Sequence, residues 1–319
     1  MKRTGFHYDP RYLLHDTGPY HPERSERLDA VLQGINDAGL MQHLVKIPAR
    51  MGDMRWIETI HAPDYIRRFE ELSLGGRRTL DCEDNQMCRD TWESAQLAVG
   101  GVLEAARMIM ADEIDNAFCA VRPPGHHAEH DEAMGFCYFN NVAIAAKYLQ
   151  LEWQIERVGI VDFDVHHGNG TQHAFEKDST VFYYSIHQHP SFAYPGTGRE
   201  FELGTGPGYG FTKNSPVLPG QGDETYQQMI EKDLLPAFKA FKPQVIVVST
   251  GFDAHRDDEM ADMKVTSRGF RWIIETLMGM AQTYANGRLL SVLEGGYCLE
   301  RLPELAVDHI KALLDINAK

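Results

Sequence analysis

Short runs of apolar residues alternate along the chain with longer segments in which apolar residues recur every three or four positions. One short run, Val245-Ile246-Val247-Val248, has no polar residue between its apolar ones. A continuous run of this kind is typical of a strand that is buried on both faces of a parallel sheet. Five strands are predicted: Asn116–Val121, Arg157–Asp162, Thr180–Ile186, Gln244–Thr250 and Arg288–Leu293.

The longer segments between these strands predict helices, since their apolar residues share one side of a helix. The predicted helices are Pro22–Ala38, Trp92–Ala111, Asn140–Leu149, Asp223–Phe241 and Ser267–Ala285. Strands that alternate with helices predict an α/β fold with a central, mostly parallel sheet and helices on both faces. No internal repeat or linker-like run interrupts the chain, so residues 1–319 are expected to form a single domain.

The composition argues against some classes of binding partner and of protein. The chain has 31 Lys and Arg against 46 Asp and Glu, a formal charge of −15. A surface this acidic repels the phosphates of nucleic acids and attracts cationic substrates. No segment approaches the roughly 18 consecutive apolar residues of a membrane helix. Five cysteines without a CxxC pair argue against a disulfide framework and a thiolate zinc finger, and we expect a cytoplasmic protein.

Chemically active side chains follow four of the predicted strands. In an open parallel sheet, ligands bind beyond the carboxyl ends of the strands, so these segments are expected to meet at one edge. The four segments are RPPGHH at 122–127, DFDVHHGNG at 162–170, GFDAH at 251–255 and EGGY at 294–297.

The DFDVHHGNG segment predicts a metal site. Asp162, Asp164 and His166 share parity, so an extended chain would point all three toward the same side. Capping or a buried hydrogen-bond network could account for these residues alone. With Asp253 arriving from a neighbouring strand, a three-ligand site with an open position is favoured. Borderline ligands without a thiolate suit Zn²⁺, and Fe²⁺ or Co²⁺ stay open.

The tandem His126-His127 supplies candidate acid–base groups, since imidazole titrates in the range that a general base needs. An Asp partner would stabilise one ring as imidazolium and a neutral partner would leave the other a base, and Asp162 and Asn169 are candidates for these partners. Tyr297 follows a Gly-Gly pair and is either an oxyanion donor or a structural tyrosine that closes a turn.

These residues resemble the histone deacetylase family, which has the arginase/deacetylase fold. The motifs RPPGHHA at 122–128, GFCYFNN at 135–141, DFDVHHGNG at 162–170, PGTG at 195–198, GFDAH at 251–255 and EGGY at 294–297 occur in the family's order and spacing. The resemblance runs from about residue 10 to about residue 305. The EGGY, HHGNG and GFDA motifs resemble the class II branch and its bacterial relatives, and they imply one histone deacetylase-like catalytic domain.

The resemblance implies a catalytic machinery with one zinc ion per chain. The implied zinc ligands are Asp164, His166 and Asp253. His127 would be the general base that activates water and then protonates the leaving amine. His126, paired with Asp162, would act electrostatically, and Tyr297 would polarise the scissile carbonyl together with zinc.

The resemblance also implies where substrate and potassium bind. The lysine chain would pass between Phe136 and Tyr194, with Gly135 at the tunnel wall, and Asp81 resembles the rim aspartate that grips the substrate backbone. One structural K⁺ would use Asp162, Asp164 and Ser185 with the carbonyls of His166 and Ile186. A second would use carbonyls near Phe175, Asp178, Val181 and Phe211.

Three positions depart from the commonest family pattern or bear on the substrate. Asn169 stands where the class I branch has an aspartate, and Tyr194 replaces the commoner phenylalanine. Met260 lies where polyamine-selective relatives place a glutamate, which favours acyl-lysine over acylpolyamine as substrate, although Glu259 is adjacent.

The leading hypothesis is a zinc hydrolase that removes acetyl or other short acyl groups from the Nε of lysine in proteins or peptides. The alternatives are an acetylpolyamine or other small-amide deacetylase on the same scaffold and a weakly catalytic acyl-lysine binding module. A dinuclear arginase-like hydrolase and a purely structural metal site fit less well, since the 251–255 segment offers one aspartate and three ligands leave a position open. The sequence leaves open the physiological substrate, the acyl length and the oligomeric state, including a homo-oligomer.

Overall fold

A computed structural model of the chain describes residues 2–315. Within these residues the strands are β1 (Thr4–His7), β2 (Val45–Lys46), β3 (Thr79–Leu80), β4 (Cys82–Gln86), β5 (Asn116–Cys119), β6 (Val158–Asp162), β7 (Val181–Gln188), β8 (Thr212–Val217), β9 (Val245–Thr250) and β10 (Leu289–Leu293). Eight of them form one sheet in the order β2-β1-β5-β10-β9-β6-β7-β8, and every neighbouring pair is parallel. Strands β3 and β4 form a separate antiparallel pair.

The α-helices of the described residues are α1 (Glu26–Asp37), α2 (Met54–Ile57), α3 (Pro63–Leu74), α4 (Thr91–Met110), α5 (Asn141–Trp153), α6 (Asn169–Phe175), α7 (Asp223–Met229), α8 (Leu235–Phe241), α9 (Ser267–Tyr284) and α10 (Leu302–Leu313). On one side of the sheet α4 and α5 pack against each other, α4 on β1, β5 and β10 and α5 on β6 and β9. On the other side α10 packs between α1 and α9, and it contacts β5. The predicted α/β class with a parallel sheet and helices on both faces is confirmed.

The central strands form for the reason that the apolar runs indicated. Every residue of β5, β6, β9 and β10 is buried, since helices cover both faces of the sheet. All five predicted strands are present, with ends that differ by one or two residues. Strands β1 and β8 were not predicted, because their sequences TGFH and TKNSPV carry no apolar run.

The predicted helices are also present, with three changes. The first helix begins at Glu26 rather than at residue 22. The helix that was predicted to end at Leu149 continues to Trp153. The segment 223–241 is divided into α7, a π-helical turn over Ile230–Leu234, and α8. Pro236 lies in the first turn of α8 and has no backbone N–H to donate, so the regular ladder of hydrogen bonds is interrupted there.

The sheet order brings the chemically active segments together. Strands β5, β10, β9 and β6 are consecutive neighbours at the centre of the sheet, and all four run in the same direction. Their carboxyl ends therefore share one edge, and the segments beginning at residues 122, 294, 251 and 163 leave the sheet side by side. No helix among the described residues is long and apolar enough to cross a membrane.

Candidate active site

A cluster of Asp164, His166 and Asp253 lies at the carboxyl ends of β6 and β9. All three residues are buried, and one ligand atom from each lies within 4.8 Å of the others. His166 Nδ1 is 3.2 Å from Asp164 Oδ1 and 3.3 Å from Asp253 Oδ2. The three side chains therefore form a compact O/N/O group that can hold a metal ion.

Backbone amides hold the two carboxylates in place. His166 N donates to Asp164 Oδ1 at 2.9 Å, Gly295 N donates to Asp164 Oδ2 at 2.8 Å, and Val165 N donates to Asp253 Oδ1 at 2.9 Å. The chain leaves β6 at Asp162, so the side chains converge through turns beyond the strand and not through the parity of an extended chain. The capping bonds that the sequence suggested as an alternative are present alongside the compact ligand group.

The electrostatics of this group suit a cation. Burial and the adjacent Asp164 carboxylate raise the pKa of Asp253 to about 7. Burial opposes a charge on His166, yet the adjacent carboxylates of Asp164 and Asp253 raise its pKa to about 10. Asp253 Oδ2 is buried and accepts no hydrogen bond within the described residues, and a Cβ on Gly295 would lie only 2.1 Å from it. A buried carboxylate oxygen without a hydrogen-bond partner is free to bind a metal ion, and the glycine leaves space beside it. The residues therefore fit a divalent cation.

His126 lies beside this group in a negative environment. Its Nδ1 is 3.0 Å from Asp162 Oδ2, and its Nε2 is 3.8 Å from Asp164 Oδ1. Burial opposes the charged ring, but the two aspartates raise the pKa of His126 to about 10. The two carboxylates therefore favour the imidazolium form of this histidine.

His127 has the opposite character although its ring centroid is only 4.0 Å from that of His126. Its Nδ1 is 2.7 Å from Asn169 Oδ1, and no described residue forms a hydrogen bond with its Nε2. Burial and the positive charges of His126 and His166 hold its pKa well below the usual range. The predicted pairings with Asp162 and Asn169 are both present, and the pKa values of the two rings are shifted in opposite directions.

Glu294 supports the two histidines from the end of β10, and the sequence reading gave it no role. Its Oε2 accepts from the backbone N of Gly125 at 2.6 Å and of His126 at 3.2 Å, and Ser249 donates to its Oε1 at 3.0 Å. Burial raises the pKa of Glu294 to about 7. A carboxylate directly after a predicted, largely apolar strand was the available signal for this residue.

Tyr297 is positioned from two sides. Gly296 has a φ of +118°, which turns the chain sharply before the tyrosine. Asp258 Oδ2 accepts from Tyr297 N at 2.6 Å and from Cys298 N at 2.9 Å, and Asp258 Oδ1 accepts from Met260 N at 3.0 Å. The guanidinium carbon of Arg27 lies 4.8 Å from the centroid of the Tyr297 ring. No role was predicted for Asp258 or Arg27 from the sequence, because each contacts Tyr297 from a distant segment of the chain.

Arg27 is itself fixed by a buried ion network. It donates to the carbonyl of Gly296 at 2.6 Å and to Glu23 at 3.0 Å. Glu23 also accepts two hydrogen bonds from Arg122, and all three side chains are fully buried. Burial opposes ionisation of Glu23, but Arg122 and Arg27 hold the pKa of its carboxyl well below the usual range.

A cavity of about 320 Å³ opens above these groups. Gly135, Phe136, Tyr194 and Met260 line it, as the sequence reading expected of substrate-binding residues. It is lined by His21, Pro22, Asp84, Pro124, His126, His127, Gly135, Phe136, His166, Tyr194, Met260, Gly295 and Tyr297. The cavity thus connects aromatic walls near the surface with the two histidines and the Asp-His-Asp group.

Gly135 sets the width of this cavity. Its φ is +52°, and a Cβ there would lie 2.3 Å from His127 Cδ2 and 3.0 Å from Tyr194 Cε1. The rings of His127 and Tyr194 meet edge to face with centroids 5.0 Å apart. A side chain at residue 135 would therefore displace the ring of His127 or that of Tyr194.

Asp81 does not line the cavity. It lies between β3 and β4, where its carboxylate accepts from Arg68 Nη2 at 2.7 Å and 2.9 Å and from Ala133 N at 2.8 Å. The acidic residue of this segment that reaches the cavity is Asp84 on β4. Strands β3 and β4 form a short hairpin. Two carboxylates only three residues apart therefore differ in their surroundings: Asp81 is hydrogen-bonded to Arg68, and Asp84 is exposed at the cavity.

The residues of the implied potassium sites surround the two ends of β7. Asp162, at the end of β6, is the register partner of Ser185 on β7, and Ile186 follows. Ser185 Oγ is 2.7 Å from His187 Nδ1. At the other end, the residues are Phe175 at the end of α6, Asp178 in the next turn, Val181 at the start of β7, and Phe211 just before β8.

Comparison with known proteins agrees with the resemblance. Residues 21–313 match the histone deacetylase domain family. A probable deacetylase of Archaeoglobus fulgidus is 39% identical over 99% of this chain and 88% of its own length. A histone deacetylase-like amidohydrolase of Pseudomonas aeruginosa is 34% identical over 99% of this chain and 87% of its own length. The crystal structure of the HDA15 HD domain is similar with a TM-score of 0.94 and 34% identity, over 100% of this chain and 90% of that one.

Proposed function

The chain belongs to the histone deacetylase family, and we propose that it is a zinc-dependent amidohydrolase that removes acetyl or other short acyl groups from the Nε of lysine in proteins or peptides. Membership of this family indicates a hydrolase that acts on acylated amides. The family is generally metal-dependent. The identity of the metal, the lysine substrate and the roles of individual residues belong to the proposal.

One observation carries the proposal. His166, a member of the buried Asp164, His166 and Asp253 group, lines the same cavity as two adjacent histidines whose pKa values are shifted in opposite directions. Hydrolysis of an amide needs a polarised carbonyl, an activated water and a proton for the leaving amine. A capped structural cluster would need neither a neutral histidine with a free nitrogen nor a cavity above it.

The metal ligands in this proposal are Asp164, His166 and Asp253. Two carboxylates and one imidazole, without a thiolate, suit Zn²⁺ and leave room for water and substrate. When bound, the ion supplies Lewis-acid chemistry, which lowers the pKa of water and polarises an amide carbonyl.

His127 moves the proton in this mechanism. Its neutral ring presents a free Nε2 to the cavity and takes a proton from the water that attacks the carbonyl carbon. When the C–N bond breaks, the same nitrogen returns the proton to the leaving amine, so lysine and a carboxylate are released. His126 stays an imidazolium on Asp162 and stabilises negative charge that develops nearby.

Tyr297 donates a hydrogen bond to the oxyanion in this mechanism. Burial, despite the nearby Arg27 charge, holds its pKa well above the usual range, so the phenol keeps its proton. Preorganised donors of this kind are typically worth a factor of about 10² to 10³ in turnover.

The walls of the cavity favour an alkyl chain. The Phe136 ring contacts the rings of His21 and Tyr297 edge to face, and Tyr194 forms the other wall beside His127. A four-carbon lysine stem buries apolar surface between such walls. Met260 adds another apolar side chain to the lining, which supports acyl-lysine over an acylpolyamine.

The proposal also includes structural potassium ions, the extent of the domain and the cellular location. Structural K⁺ ions are proposed at the two sites that the family resemblance implies, and the register pairing of Asp162 with Ser185 on neighbouring strands supports the first. A single catalytic domain over residues 1–319 and a cytoplasmic location stay predictions from the sequence.

The test is a comparison of kcat/KM for an acetyl-lysine peptide and for N-acetylputrescine, with zinc-loaded protein and a chelated control. We expect peptide turnover that exceeds polyamine turnover and disappears on chelation. Preference for the polyamine would support the small-amide alternative and contradict the inference from Met260. If neither substrate nor a longer acyl-lysine peptide is turned over by zinc-loaded protein, the enzyme proposal is wrong, and an acyl-lysine binding module is favoured.

A further inference from the structure

A chain of hydrogen bonds extends from His127 away from the cavity to the protein surface. Asn169 Nδ2 lies 2.5 Å from Glu129 Oε1, and the two carboxylate oxygens of Glu129 lie 2.8 Å and 3.0 Å from His173 Nδ1. Asn169 is buried, the Glu129 side chain is 18% exposed and the His173 side chain is 45% exposed. The chain of contacts thus begins at the proposed base and ends in solvent.

The contacts of Asn169 determine which way its amide points. An ionised carboxylate only accepts hydrogen bonds, so the group that faces Glu129 must be the NH₂ of Asn169. The backbone carbonyl of His127, 3.3 Å from Asn169 Nδ2, is another acceptor on the same side. The amide oxygen therefore faces His127.

The amide orientation in turn determines the tautomer of His127. Asn169 Oδ1 is an acceptor 2.7 Å from His127 Nδ1, so Nδ1 must carry a proton. A neutral imidazole has one N–H, so Nε2 keeps its lone pair and faces the cavity. An inverted amide would place NH₂ against Nδ1 and would move the proton to Nε2, where the ring could not act as a base.

We propose that Glu129 is a positioning residue that acts through Asn169 to hold His127 in the tautomer with a free Nε2. His173 completes the arrangement, because its Nδ1–H donates to Glu129 and keeps the carboxylate an acceptor. This inference rests on the proposed function, in which His127 Nε2 takes a proton from water.

The kinetic test uses zinc-loaded full-length protein with an acetyl-lysine peptide. Glu129→Ala is expected to lower kcat by roughly tenfold to a hundredfold with little change in KM, since the contact with the His127 carbonyl preserves part of the amide orientation. Glu129→Gln keeps an acceptor oxygen and is expected to retain at least about a third of kcat. Asp131→Ala is the matched control, because it removes an exposed carboxylate from the same loop without contact to Asn169.

The Asn169→Ala background separates a positioning role from a structural one. If Glu129 acts through Asn169, adding Glu129→Ala to Asn169→Ala changes kcat by less than about twofold. An equal loss of kcat in both backgrounds, or wild-type kcat in Glu129→Ala, would overturn the inference. Matching melting temperatures exclude unfolding as the cause of any loss.

Imidazole ¹⁵N NMR tests the tautomer without turnover. In zinc-loaded protein, the His127 signal, assigned by its absence in His127→Gln, is expected to show a protonated Nδ1 and an unprotonated Nε2. Glu129→Ala is expected to shift this pattern toward the other tautomer, and an unchanged pattern would contradict the inference. Because the spectrum does not depend on substrate, it decides the matter even if the proposed function fails in the wild-type protein.

Discussion

The inner end of the cavity, beside Asp164 and Glu294, is called the floor here, and its outer end, at Asp84 and Tyr194, is called the mouth. The two ends are built differently. At the floor, the oxygens of Asp164 and Glu294 accept hydrogen bonds from backbone amides at fixed positions in neighbouring strand ends. At the mouth, Asp84 is exposed and Tyr194 is 41% exposed, and the exposed Glu259 precedes Met260 in the chain. Water screens charges at the mouth, while burial strengthens every charge at the floor. Changes at the floor should therefore alter chemistry, and changes at the mouth should alter the choice of substrate.

Removal of a proposed metal ligand should have the largest effect. Asp253→Asn leaves one carboxylate in the cluster, so we expect metal affinity to fall by more than roughly a hundredfold and turnover to fall to background. Metal content after dialysis and peptide turnover are measured together. Asp257→Asn is the matched control, since this exposed carboxylate in the same loop binds Arg301. Wild-type metal content in Asp253→Asn would show that the ion is held elsewhere.

Loss of the Tyr297 hydroxyl should follow. Tyr297→Phe keeps the ring contacts with Arg27 and Phe136 and removes only the donor. We expect kcat to fall by about 10²- to 10³-fold while the metal content stays at one ion per chain. Turnover close to wild type would remove the oxyanion role from the mechanism.

An intermediate effect is expected where floor and mouth meet. Asp258 joins the Tyr297 loop to the 257–260 loop through three backbone amides. Asp258→Ala leaves these donors unpaired, and we expect a loss of about 1–3 kcal/mol in the free energy of unfolding and roughly a tenfold loss of kcat.

The Asp258 result can be checked against Tyr297 and against the conservative variant. In the Tyr297→Phe background, Asp258→Ala should change kcat little, because the group that it positions has gone. Asp258→Asn keeps one acceptor oxygen and should recover part of both losses. Equal losses of kcat in the two backgrounds would mean that Asp258 acts on the fold and not on Tyr297.

The smallest effect is expected at the mouth. Met260→Glu places a carboxylate on the lining of the cavity and should raise kcat/KM for N-acetylputrescine relative to the peptide by about threefold to tenfold, since a partly exposed ion pair contributes roughly 1 kcal/mol. Glu259→Gln is the companion variant. If it lowers polyamine turnover by the same factor in the otherwise wild-type chain, the adjacent carboxylate already serves this purpose and Met260 is not the determinant.

The buried centre of the sheet, which leads to the floor, could be predicted from the sequence better than the sheet edge. The strands β5, β6, β9 and β10 were predicted because burial on both faces leaves continuous apolar runs in the sequence. The motifs that follow them were predicted to meet, since parallel neighbours end at the same edge. Strand β8 was missed because its sequence is polar. It forms at the sheet edge because its backbone pairs with β7.

Contacts between distant segments were beyond the reach of the sequence. Glu129, Asp258 and Glu294 are ordinary acidic residues in the sequence, and their partners lie 40, 39 and 169 positions away. The sequence named Asp81 as the rim aspartate and did not consider Asp84. The geometry of a short hairpin decides that the Asp81 carboxylate binds Arg68 and that Asp84 reaches the cavity.

The sequence by itself determined the α/β class, the order of the motifs, and the kinds of side chain that meet at the sheet edge. Local chemistry suffices for these, because apolar periodicity and the direction of a strand are properties of short segments. The sequence also suggested Asp162 and Asn169 as partners of the two histidines. Only the tertiary structure decided how far the pKa values of His126 and His127 move in opposite directions, since the burial of both rings and the charges around each depend on how separate loops pack. It also decided the width of the cavity, because the close approach of Gly135 to two rings arises only when separate loops pack together.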